Sequence, residues 1–285
     1  MNPASIDDLI PLDKSWIIRM GFLDIISGRT DILEFLNSQT DLNDDLIALK
    51  RVAETWNTLD EINVGESGTI YRFFKFASWK LGMNKKFILE GTLKDRVICD
   101  DPTIVDWPVQ KLLTLDNGTS QWASAAILMG NSERVENAPY KLKVTGDAVE
   151  VWHKARNRNE PWVPRLDQTI SNQAKVFIQM MKGEKTEFVS EQAEDYCFSR
   201  IFGFITDEEG ERRWPALRSH ETDRIAEMEK VIHDLEEGRQ IISRDHRVVQ
   251  AVGMYQKLHK MPSTVIHAHA VNKSWPLFWQ FLDML

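Results

Sequence analysis

Short polar clusters, each built round a cation, recur through the sequence: Asp13-Lys14-Ser15 with Arg19, Glu66-Ser67-Gly68-Thr69 with Arg72, Lys94-Asp95-Arg96, His220-Glu221-Thr222-Asp223-Arg224, Asp245-His246-Arg247 and Asn272-Lys273-Ser274. Gly118-Thr119-Ser120-Gln121 falls between the third and the fourth. A chain of 285 residues with a formal charge of -8 has no general electrostatic need to place Lys and Arg beside Gly, Ser and Pro, so these cations are local devices. Arginine donates in a planar fork that fits carboxylates and phosphates. Glycine lets the backbone approach a ligand closely. The chemistry these types point to is recognition of a small anionic molecule.

The remaining composition narrows the class. Hydrophobic residues make up 42% and charged residues 27%, ordinary values for a globular protein, and the length allows two units with separate cores. An acidic balance argues against a nucleic-acid or anionic-membrane partner, which clustered Lys and Arg would serve. Cys99 and Cys197 supply no disulfide framework and no CxxC pair. The opening MNPASIDDLIPLDKSW has no basic stretch followed by an apolar core, so the expectation is no signal peptide and a cytoplasmic location. No apolar run approaches the ~20 residues of a membrane helix.

The elements that must carry the clusters read as α/β. Apolar periodicity predicts helices over Ile17–Ile26, within Asp31–Trp56, and over Ile70–Leu81, Gln121–Met129, Ile170–Met181, Asp195–Ile205, Thr222–Leu235 and Val248–Leu258. Strands are predicted at Lys86–Glu90 and Thr264–Val271, with a pair at Lys141–Val144 and Val149–Trp152 about a Thr145-Gly146-Asp147 turn. Gly65 and Gly68 then sit where a strand gives way to a helix, a junction whose free N–H groups suit an anion.

In order and spacing, the clusters resemble the motifs of the enolpyruvyl transferases, most closely the members that act on shikimate 3-phosphate. Lys14, Ser15 and Arg19 match an opening Lys-Ser followed by Arg. Gly68, Thr69 and Arg72 match the loop Asn-Ala-Gly-Thr-x-x-Arg, with Glu66 in place of the Asn. Arg96 matches a later arginine, although Val97 stands where a proline is usual. Thr119-Ser120-Gln121 matches Ser-Ser-Gln. Arg218–Arg224 stands against Arg-x-Lys-Glu-Thr-Asp-Arg, identical at Glu221, Thr222, Asp223 and Arg224, with His220 for the lysine. Asp245-His246-Arg247 and Lys273-Ser274-Trp275-Pro276 match Asp-His-Arg and Lys-Thr-Phe-Pro.

The resemblance implies an α/β, two-lobed fold of repeated βαβαββ-type units with helix N-termini facing the interlobe cleft, here lacking one unit of the second lobe. The lobes would be residues 14–185, and residues 1–13 with 186–285. It implies transfer of the enolpyruvyl group from phosphoenolpyruvate to a hydroxyl of shikimate 3-phosphate or a related acceptor, with release of phosphate and no metal or organic cofactor. Lys14, Gly68, Arg96, Gln121, Arg224, Arg247 and Lys273 would hold phosphoenolpyruvate. Ser15, Arg19, Thr119, Ser120 and His220 would hold the acceptor, and Trp162 would stack on its ring. Lys14, Asp195 and Glu221 would move protons. Glu66, His220 and the missing unit keep open a non-catalytic binder of an anionic metabolite, or a transferase with another acceptor.

Each cluster also has a plainer reading. Lys14-Ser15 alone is an exposed helix start, and Thr119-Ser120-Gln121 alone is a turn with an N-cap. His267 and His269 suggest two polar contacts on a strand more than a metal site, because no third ligand is near. For each tryptophan near a motif, Trp162 included, core packing is the safer reading. The oligomeric state is open.

Overall fold

The computed structural model describes residues 5–40, 42–218 and 222–285. The chain divides into two compact units. The first is Asp13–Arg165, and the second combines the segment ending at Leu12 with Leu166–Leu285. The first unit thus ends well before residue 185, the expected limit. The reason is the next helix, whose apolar face belongs to the second unit's core.

In the first unit, α1 (Lys14–Ile26) is buried from Trp16 through Ile25, as an all-round apolar helix must be. Asp13 caps it by accepting from the Trp16 N–H at 3.0 Å. The helical pattern over 31–56 is split into α2 (Asp31–Ser38) and α3 (Asp44–Thr55). Asn43 begins α3 by accepting from the Leu46 N–H. Next come β1 (Glu61–Gly65), α4 (Gly68–Lys80) and β2 (Lys86–Leu89), and β1 pairs with β2 in parallel through one irregularity beside Gly65. Helices α5 (Val109–Leu112), α6 (Gln121–Leu128) and α7 (Tyr140–Arg158) complete the unit. Phe22 lies against Phe73 and Phe74, and Trp56 against Phe74, which places the rings of α1, the α3 C-cap and α4 in one core.

The second unit is built from α8 (Gln168–Met181), α9 (Tyr196–Ile201), α10 (Asp207–Arg213), α11 (Arg224–Glu236), α12 (His246–Leu258) and α13 (Phe278–Met284). One core joins Leu9 and Ile10 to Ile170, Ala174 and Phe177 of α8, with Phe198, Val249, Trp275, Phe278 and Phe281. A second core joins Tyr196, Cys197, Ile225, Met228, Val231, Val248 and Val252.

The protein is therefore mixed α/β but mostly helical. Among the described residues the only sheet is the β1–β2 pair, so a single βαβ crossover stands where repeated βαβαββ units were expected. The predicted strand pair at 141–152 is one helix, α7. Local alternation in Lys-Leu-Lys-Val gives way over nineteen residues to a helical stripe of Leu142, Thr145, Ala148 and Trp152. The predicted strand at 264–271 reduces to one bridge, Ile241 to Val265, followed by a 3-10 turn over Ala268–Lys273. No helix among the described residues is long and apolar enough to cross a membrane.

Candidate functional site

In the first unit the expected donor residues meet at the start of α4. Gly65 turns the chain with φ +57, and Ser67 caps the helix by accepting from the Ile70 N–H at 3.3 Å. Gly68 is its first residue. A Cβ there would lie 2.9 Å from Arg72 Nη1, 3.5 Å from Leu93 Cδ1 and 4.0 Å from Arg96 Nη1, so two guanidinium groups lie against bare backbone. Arg72 is fixed from several sides. Its Nε donates to Asp116 Oδ2 at 2.6 Å, and its Nη1 to Gly68 O at 3.2 Å and Gln121 Oε1 at 2.8 Å. Asp116 also accepts from Trp122 Nε1 and the Cys99 N–H. Gln121 spans the gap, because its Nε2 donates to Thr69 Oγ1 at 2.8 Å.

Lys14 joins the same helix end through an acid. Asp45, in the first turn of α3, accepts from Lys14 Nζ at 2.8 Å and from Ser67 Oγ at 2.5 Å. Arg96 is exposed and donates to Thr92 Oγ1 at 3.3 Å. Lys14, Gly68, Arg96 and Gln121 thus converge from four separate segments. Glu66 lies on Gly91, where a Cβ would sit 1.5 Å from its Oε1.

The expected acceptor residues are placed otherwise. Arg19 is 4% exposed. Its Nε donates to Thr145 Oγ1 at 2.7 Å, its Nη1 to Ser15 O at 2.8 Å, and its Nη2 to Ser124 Oγ and Lys141 O. Burial lowers it to about 10, so it stays charged at neutral pH. Thr119 Oγ1 accepts from the Gln121 N–H, and Ser120 precedes α6 without a side-chain cap. Trp162 is a core residue and no stacking platform. It is 9% exposed, packs on Phe35, and donates to Asp24 Oδ2 at 2.9 Å. Trp152 donates to the other oxygen of Asp24 at 2.7 Å. Burial raises that carboxyl above its usual range. His220 and Glu221 lie outside the described residues.

The second unit gathers its own cations round the start of α12. Asp245 caps that helix by accepting from the Arg247 N–H at 2.8 Å, and takes Arg224 Nε at 2.7 Å and Thr222 Oγ1 at 3.2 Å. Burial pushes the Asp245 carboxyl up, but Arg224 and the donated hydrogen bonds prevail and hold it below the usual range. Arg247 is buried and donates from Nη1 to Gln250 Oε1 at 3.4 Å, while its Nε has no partner among the described residues. Gln250 in turn donates to Ser274 Oγ, the neighbour of the half-buried Lys273. Asp195 is an internal brace. It accepts from Gln173 Nε2 at 2.9 Å and from the N–H groups of Glu191 and Gln192, and burial raises its carboxyl.

His267 and His269 lie with ring centroids 5.9 Å apart, and no group of three or more His, Cys, Asp or Glu among the described residues could hold a metal. Three acids of the first unit, Asp24, Asp45 and Asp116, escape a motif reading, because nothing in the sequence tells which basic or indole group each one meets. No protein-family model, curated protein or solved structure matches the chain.

Proposed function

We propose that the protein is an enolpyruvyl transferase, moving the enolpyruvyl group of phosphoenolpyruvate to a hydroxyl of shikimate 3-phosphate or a related acceptor and releasing phosphate. The observation that carries this reading is the meeting of Lys14, Gly68, Arg96 and Gln121 at one helix N-terminus. A helix start with bare backbone, two arginines and a lysine suits a ligand bearing carboxylate and phosphate. Arg224, Arg247 and Lys273, in the second unit, are the further cations that the resemblance assigns to the donor.

On this reading the acceptor hydroxyl gives its proton to a base as its oxygen bonds to C2, while C3 takes a proton from an acid. The tetrahedral adduct then loses that proton from C3 and expels phosphate from C2, restoring the double bond. The protein's main contribution is fixed positive charge opposite the developing and departing anions. Lys14 and Glu221 handle protons, and Asp195, within electrostatic reach of Arg247, supports that cation. The reading also takes the two compact units as the family's two lobes, with one unit of the second lost.

A second reading is favoured by Arg19. Its donors are already committed inside the first unit, which fits a protein that binds the anionic donor without an acceptor. Phosphate release from phosphoenolpyruvate, measured with a panel of shikimate-like and sugar-nucleotide acceptors, tests both readings. Release with one acceptor supports transfer, and calorimetric binding of phosphoenolpyruvate without release supports the second. Absence of both rejects each.

A further inference from the structure

Lys14 and Ser67 share one carboxylate. Asp45 Oδ2 holds Lys14 Nζ at 2.8 Å, and Asp45 Oδ1 accepts from Ser67 Oγ at 2.5 Å. The pair is only partly exposed, 23% for the lysine side chain and 17% for the acid. Ser67 is at the same time the N-cap of α4, whose first residue, Gly68, lies beside Arg72 and Arg96. One acid therefore ties the first turn of α1 and the first turn of α3 to the start of α4. A lysine side chain has a flexible four-carbon stem, so a carboxylate at its Nζ helps to fix where the charge sits.

We propose that Asp45 is the positioning residue that holds the Lys14 ammonium at the N-terminal turn of α4. The part given to Lys14 in catalysis rests on the enolpyruvyl-transfer reading; its placement by Asp45 does not. Asp45 also offsets the lysine's charge, so it serves orientation and not donor affinity. Its loss is expected to lower turnover far more than binding.

Asp45→Asn keeps the size of the side chain and an oxygen for Ser67, but sets an amide in place of the carboxylate that holds Lys14. The expected result is a fall in kcat of about tenfold or more, with KM for phosphoenolpyruvate changed by less than about threefold. Asp45→Glu, which keeps the charge, should recover part of the loss. A second measurement needs no turnover: labelling of lysines by pyridoxal 5′-phosphate and borohydride, followed by peptide mass spectrometry. Lys14 should label several times faster in Asp45→Asn than in the wild type, with Lys86 as the unaffected reference. Ser67→Ala, which removes the helix cap and one donor to Asp45 but leaves the Lys14–Asp45 pair in place, should leave Lys14 labelling close to the wild-type rate.

Unchanged Lys14 labelling in Asp45→Asn overturns the proposal, as does an equal rise in Ser67→Ala. Faster labelling in Asp45→Asn alone, in a wild-type protein that releases no phosphate, upholds the placement of Lys14 while rejecting enolpyruvyl transfer.

Discussion

Arg224 lies with its Nε 2.7 Å from Asp245 Oδ2, and the two side chains are 3% and 0% exposed. The first residue of α11 is thereby tied to the N-cap of α12 inside the second unit. An ion pair this deep is costly to form, yet removing one member strands the other in a dry interior. Arg224→Ala and Asp245→Ala should each lower stability by about 3–5 kcal/mol, and the double variant by much less than the sum. Urea unfolding of the four proteins checks this. Because Asp245 titrates below its ordinary 3.8 in the folded protein, its contribution is fully present above about pH 4 and is lost as the pH falls through the folded value. Asp245→Asn should remove that acid-side loss; an unchanged acid profile would refute the assignment.

Arg96 gives a cleaner view of ligand binding, since Arg224→Ala would disturb folding as well. Arg96 is exposed, donates to Thr92 Oγ1 at 3.3 Å, and stands beside Gly68. Arg96→Ala should weaken phosphoenolpyruvate binding by roughly 1.5–3 kcal/mol, the usual range for a hydrogen bond to a charged group. Its thermal unfolding should match the wild type. Calorimetry showing equal affinity in the two proteins would remove Arg96 from the site.

What the sequence discloses divides along a physical line. Helices α1, α4, α8, α11 and α12 are legible because each buries a stripe or a whole surface that recurs at helical spacing. Their polar starts are legible for the same reason, and Lys14, Gly68, Arg224 and Arg247 stand in four of them, whereas Arg96 and Gln121 are singled out by the motif resemblance alone. Long-range partners leave no such trace. Asp45 sits among Asn43, Asp44 and Leu46 like any acid of a first turn, and only the fold brings Lys14 to it. Trp162 lies in a polar, proline-bearing stretch, and its partner Asp24 is far away in sequence, so nothing local names the group its indole meets.

Gly146 tests the largest departure from the predicted elements. A strand-turn-strand at 141–152 would place this glycine in a hairpin turn that favours a left-handed backbone. In α7 it is instead an exposed helical residue without positive φ, and a Cβ would meet nothing within 4 Å. Gly146→Ala should raise stability by roughly 0.5–1 kcal/mol, since alanine loses less backbone freedom in a helix interior. Thermal unfolding decides between the two, as a hairpin would lose stability on the same change.

Trp162 separates core from binding site. Its indole N–H donates to Asp24 Oδ2 at 2.9 Å, and Trp152 holds the other oxygen. Trp162→Phe keeps an aromatic ring against Phe35 but leaves one oxygen of a buried carboxylate without its donor, which should cost about 1–3 kcal/mol. The loss should depend on pH. Burial already raises Asp24 above 3.8, and removing a donor to the ionised form raises it further. A raised folded value favours the protonated form, so Asp24 adds stability below the unfolded value and forfeits it as the pH rises through the folded one. The penalty of Trp162→Phe should therefore be small at low pH and grow toward neutrality. KM for any acceptor should stay at the wild-type value. A variant with unaltered stability and a raised acceptor KM would return Trp162 to the binding site.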